Sequence, residues 1–161
     1  MHETQAHSGP AVASPQAACG FYLVHRGAGF ALHMHASQEH LRQMRQVVFK
    51  TVTGSGIGEE IAESAQLVAS ELVGNAVRLC GPWAPVVVQV YRQADQVLVQ
   101  VHDPEPGVLP ERRDEALDSA DAETGRGLWI LDALAPGWRV ESTPVGKQVT
   151  CTLSASDFVG V

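Results

Sequence analysis

The chain has 161 residues, 45% of them hydrophobic and 18% charged. That is the length and balance of one folded domain that can hold a core without disulfides or metal. A formal net charge of −7 argues against a nucleic-acid-binding surface, which needs clustered Lys and Arg. It leaves room for a phosphate site, which needs only a few local donors.

Three cysteines, Cys19, Cys80 and Cys151, lie far apart with no CxxC pair, a pattern that suits reduced thiols. No apolar run is long enough to span a bilayer, and no basic start with an apolar stretch marks a secretory signal. The expected location is cytoplasmic, without a membrane anchor.

In chain order, residues 1–20 are rich in Ala, Ser, Gln, Gly, Pro and His, lack periodicity, and read as a disordered arm. A single domain is expected over 21–157. Phe30, Leu32 and Met34 alternate with His33 and His35, predicting a first strand over 28–35. These histidines lack a third ligand at close spacing and are not read as a metal site. Ser37 has the character of a helix N-cap, and Leu41, Met44, Val47 and Val48 follow at helical spacing until Gly54-Ser55-Gly56.

A second helix is predicted over 59–79 and stopped by Gly81-Pro82. Ile61, Ala65, Val68, Leu72, Ala76 and Leu79 form its apolar stripe. Glu71, Asn75 and Arg78 fall on one edge of that stripe, roughly 60° to 120° around from Leu72. Glu71 and Asn75, four residues apart, are neighbours at the rim of the core. A carboxylate beside a carboxamide oxygen offers hard ligands to Mg²⁺, and the carboxylate can instead act as a base toward a hydroxyl. A solvated helix edge is the plain alternative.

Residues 86–92 and 96–103 read as a hairpin. Val97, Val99, Val101 and then Asp103 share one strand face. A carboxylate that continues an apolar face needs a donor. The amine of adenine would serve, and so would a backbone amide at the turn into Pro104. Residues 104–124 form a long polar loop. Gly125-Arg126-Gly127-Leu128 then opens a short helix, where glycines let a phosphate approach the backbone. Gly146-Lys147 does not fit a Walker A frame. The final strands are expected over 138–142 and 148–153. The order predicts an α+β two-layer sandwich, a mostly antiparallel sheet with its helices on one face.

These pieces in this order resemble the GHKL (Bergerat-fold) ATPase/kinase superfamily, over about residues 28–153. Glu71-Leu72-Val73-Gly74-Asn75-Ala76-Val77-Arg78 is similar to its N box, Asp103 to Gly107 to its first glycine box, and Gly125-Arg126-Gly127-Leu128 to its second. Within the superfamily the sequence looks like the small anti-sigma-factor serine/threonine kinases.

The resemblance implies ATP and Mg²⁺ as cofactors. It makes Glu71 the general base and Asn75 the Mg²⁺ holder, with Asp103 taking the adenine amine. Gly107, Gly125 and Gly127 would shape the pocket and a lid over 104–124, and Arg126 would offset phosphate charge. The implied partners are an anti-anti-sigma protein of the STAS type, as substrate, and a sigma factor. The mixed outer strand face, with Val87, Gln89, Tyr91, Leu98, Gln100 and His102, suits solvent or a second copy of the chain.

Three positions depart from the family pattern. Leu79 stands where His is frequent, Glu105 at the first glycine after Asp103, and Gln148 where Thr is usual in the late strand. They motivate a second reading, the same fold used as a protein clamp with weak or no ATP turnover.

Overall fold

A computed structural model describes residues 16–106 and 122–154, with only the backbone given for 122–127. The elements are β1 (Gln16–Ala18), β2 (Phe21–Arg26), β3 (Gly29–His35), α1 (Gln38–Gly54), α2 (Glu59–Cys80), β4 (Pro85–Gln93), β5 (Gln96–Asp103), α3 (Ala122–Leu134), β6 (Arg139–Thr143) and β7 (Gly146–Ser154). The seven strands form one sheet in the order β1-β2-β3-β4-β5-β7-β6, and every neighbouring pair is antiparallel. The helices pack on one face, so the fold is the α+β sandwich that the element order predicts.

Period two explains which face is covered. Leu32 and Met34 of β3, Val86, Val88 and Val90 of β4, Val97, Val99 and Val101 of β5, and Val149, Cys151 and Leu153 of β7 are all buried. Among their alternates, Val87, Gln89, Tyr91, Gln100 and His102 are half-buried and Leu98 is buried, as a mixed outer face should be. Beneath the helices the sheet meets Met44, Val48 and Val52 of α1 and a broad stripe of α2.

The sheet begins earlier than the sequence suggests. Gln16–Ala18, placed by composition in the arm, pairs with β2, and β2 itself precedes the strand expected first. Phe21 and Leu23 are buried on the helix side while Tyr22 is exposed. Residues 1–15, and 155–157 at the expected domain end, lie outside the described residues.

Ser37 caps α1 as predicted, its Oγ accepting from the backbone N–H of His40 at 3.1 Å. Ser37→Ala leaves that amide without its side-chain acceptor and is expected to cost about 1 kcal/mol, read as a lowered urea midpoint at unchanged slope. Between the two long helices, Arg45 Nε donates to Ser70 Oγ at 2.8 Å and Gln66 Nε2 donates to the Arg45 carbonyl at 2.9 Å. These bonds fix how α2 lies beside α1.

Candidate functional site

The site is built on α2 and on the ends of β5 and β7. Ile61, Ala62, Ala65, Val68, Ala69, Leu72, Val73 and Ala76 of α2 are buried, a wider stripe than the one read from spacing. Leu79, expected in that stripe, is 40% exposed. It sits in the last turn, one residue before α2 ends at Cys80.

Glu71 and Asn75 are half-buried on one edge of the stripe, and Arg78 is exposed. Asn75 and Arg78 touch, with Glu71 one turn earlier on the helix, while Arg78 lies further out than the partly shielded rim expected for all three. Arg78 Nη2 donates to Asn75 Oδ1 in a short hydrogen bond, so the oxygen that suits Mg²⁺ is held by a guanidinium of the same helix. Gly74, between them, leaves the helix surface open: a methyl there would meet only Arg78 Nη1, at 3.6 Å, among the described residues.

Asp103 is 4% exposed and continues the inward face of β5. Its Oδ1 accepts from the backbone N–H of Glu105 at 2.9 Å, the backbone-amide alternative foreseen at the turn. It also accepts from Lys147 Nζ at 2.9 Å, and Lys147 donates further to the Glu105 carbonyl at 3.1 Å. Lys147 is 2% exposed. A buried carboxylate and ammonium neutralise each other, which makes burial of both tolerable.

Lys147 does not fit a phosphate-loop frame, so its motif alone does not single it out. The signal was present: Lys147, Val149, Cys151 and Leu153 share one face by period two. The register pairs Asp103 with Lys147 and His102 with Gln148. The residue facing Asp103 from the late strand is therefore Lys147. Gln148 turns to the outer face, so its departure from the family pattern lies away from Asp103.

The C-terminal end of α2 abuts this pair. Burial pushes the Cys80 thiol above its usual range, and the nearby Asp103 carboxylate adds to the shift while Lys147 opposes it. Along α2, at 1.5 Å per residue, Asn75 lies about 7 Å from Cys80 and Glu71 about 13 Å. Glu71, Asn75 and the buried Asp103–Lys147 pair are thus spaced out along one helix. Cys151, under the sheet and remote from this chemistry, is held as a thiol by burial alone, its pKa pushed up to about 12.

The second glycine motif is placed differently from expectation. Gly125, Arg126 and Gly127 lie inside the first turns of α3, which starts at Ala122, rather than ahead of a helix; their side-chain surroundings lie outside the described residues, as does Gly107. Leu128 and Leu131 are buried and pack α3 into the core. Trp138 Nε1 donates to Asp132 Oδ1 at 2.9 Å and ties down the turn after the helix. Trp83 and Trp129 are exposed and lie outside the core.

A cavity of about 440 Å³ opens elsewhere, lined in part by Tyr22, His33, His35, Val87, His102 and Val145. Those residues alternate with the buried ones, so the cavity belongs to the outer face, away from the helices. No group of three or more His, Cys, Asp or Glu among the described residues is placed to hold a metal ion.

The chain thus combines a seven-stranded antiparallel sheet with helices on one face, a carboxylate and carboxamide at a helix edge and a buried Asp at a strand end. The histidine kinase-like ATPase domain family matches residues 34–153, and the chain belongs to that family. It is therefore a GHKL-type ATPase-fold domain, a class that binds ATP, typically with Mg²⁺. The match starts within β3, so β1 and β2 precede it. Among curated proteins none matches the chain. No helix among the described residues is long and apolar enough to cross a membrane.

The donor set fits such ligands. Glu71 and Asn75 carry hard oxygens of the kind Mg²⁺ takes, that of Asn75 being held here by Arg78, and Asp103 Oδ2 has no partner among the described residues.

Proposed function

We propose that the chain is a cytoplasmic ATP-dependent protein serine/threonine kinase of the anti-sigma type. Its substrate would be a serine or threonine on a small STAS-type antagonist, and a sigma factor would be its second partner. The observation that carries this is Glu71 and Asn75, one helical turn apart at the rim of the core on the helix whose end reaches the buried Asp103.

In this reading Glu71 takes the proton of the substrate hydroxyl as its oxygen attacks the γ-phosphorus. The bond from that phosphorus to the bridging oxygen breaks, and ADP leaves with the electron pair. Mg²⁺, when bound, neutralises charge on the phosphate oxygens. Asn75 Oδ1 would hold it once Arg78 swings away, and the released guanidinium would be available to a phosphate.

Glu71→Ala is expected to lower phosphate transfer to a cognate antagonist by about 10²-fold or more with ATP affinity little changed. It is measured by transfer of labelled γ-phosphate together with calorimetry. Unchanged transfer would remove Glu71 from the chemistry.

A second reading has its own observation. Asn75 Oδ1 and Asp103 Oδ1 are already satisfied by Arg78 and Lys147, which suits a clamp that binds its partner without turnover. Calorimetry with Mg²⁺ and ATP separates the two: no heat at millimolar ATP, with partner binding intact, selects the clamp.

A further inference from the structure

The buried ion pair offers more than neutralisation. An ammonium carries three N–H donors. Lys147 spends one on Asp103 Oδ1 and one on the Glu105 carbonyl. Its third has no partner among the described residues. Asp103 accepts both of its bonds at Oδ1, and Oδ2 has none among the same residues. No buried side-chain nitrogen or oxygen among them lacks a partner, so Oδ2 is not sealed in the core. The pair thus presents an acceptor beside a donor, next to the end of α2.

We propose that Lys147 is a base-reading residue, selecting adenine by donating to ring nitrogen N1 while Asp103 Oδ2 accepts from the neighbouring exocyclic amine. The inference rests on the ATP reading above and deepens it. Adenine places a donor, the 6-amine, beside an acceptor, N1. That is the complement of acceptor Oδ2 beside donor Nζ–H. Guanine carries a carbonyl and an N–H at those two positions, so in the same orientation it sets oxygen against carboxylate and N–H against ammonium.

A site built to hydrogen-bond a group rejects the analogue that lacks it, because its own polar atom is then left unpaired in a dry place. An ammonium makes that bond charge-assisted and stronger than a neutral one. Gly146 makes the arrangement reachable. Its backbone runs so close to the Asp103 carbonyl that the following residue is brought beside the carboxylate.

The probe is 1-deaza-ATP, which keeps the 6-amine and the shape of ATP and lacks only N1. Calorimetry on the wild-type full chain with Mg²⁺ is expected to show 1-deaza-ATP binding about ten-fold or more weaker than ATP. In Lys147→Met the two nucleotides should bind alike. If that variant does not fold, the Asp103→Asn, Lys147→Met double variant buries no unpaired charge and is measured instead, with the same expectation. Equal affinity of wild type for the two nucleotides overturns the base-reading role and leaves ATP binding standing. Discrimination that survives removal of Lys147 assigns N1 to another group and also overturns it. Absence of binding by ATP itself defeats the ATP reading and this inference with it.

Discussion

Gly146→Ala is expected to cost more than about 4 kcal/mol of stability, enough to leave much of the chain unfolded. Gly146 opens β7 at φ +144°, a conformation that side-chain-bearing residues rarely adopt. A Cβ there would lie 1.9 Å from the Asp103 carbonyl oxygen and 2.8 Å from both the Asp103 carbonyl carbon and Pro104 Cα. All three are backbone atoms, so no rotamer change relieves the overlap. The ends of β5 and β7 would have to separate, and the Asp103–Lys147 pair with them.

Gly137→Ala is the control. A Cβ at Gly137 meets nothing within 4 Å among the described residues, and its φ is not positive, so the change should stay within about 0.5 kcal/mol. Urea denaturation of the two variants at equal slope gives the comparison. A loss at Gly146 no larger than at Gly137 would show that the strand ends can part freely, and the ion pair would lose its positioning device.

What the sequence discloses about this region follows from the range of the forces involved. Alternation of Val97, Val99 and Val101 is local, and it places Asp103 on the buried face before any tertiary contact is known. The N-cap at Ser37 and the i, i+4 pair of Glu71 and Asn75 are local in the same way. The identity of Asp103's partner is different. Lys147 lies 44 residues further on, and only the pairing of β5 with β7 brings it across. A lysine at a strand end is ordinarily solvated, so its place in the period of Val149, Cys151 and Leu153 carries little weight until the register is known.

Other differences have similar causes. The stripe read on α2 includes Leu79 because helical periodicity continues to the last turn, but burial also requires a neighbour to pack against. Strand β1 is three exposed residues at a sheet edge, with no apolar pattern to read. Its order comes from the ladder that β2 offers. Gly125 and Gly127 suggested a helix start by composition. The helix begins at Ala122 instead, because the weak helix propensity of two glycines is overridden once Leu128 and Leu131 pack into the core.

The ion pair itself supports the second large effect. Lys147→Met alone leaves a buried carboxylate whose remaining donor is the Glu105 amide; Asp103→Leu alone leaves a buried ammonium whose remaining acceptor is the Glu105 carbonyl. Each single change strands a charge in the core and is expected to cost about 3–5 kcal/mol. The double variant, Asp103→Leu with Lys147→Met, strands none. It fills similar volume with apolar side chains over Val101 and Val149 and should recover most of that loss, or exceed wild type by up to about 4 kcal/mol. Urea midpoints of the four proteins close the cycle, with a coupling energy of several kcal/mol as the expected outcome.

That result would bear on function as much as on folding. A double variant more stable than wild type that no longer binds ATP would show that the chain gives up stability to keep two charges at the base end of its site. A double variant less stable than wild type would instead make the pair a net contributor to the fold. The geometry favours the first outcome, since Oδ2 and one Nζ–H face no partner among the described residues, and a pair serving the core alone would gain by satisfying both.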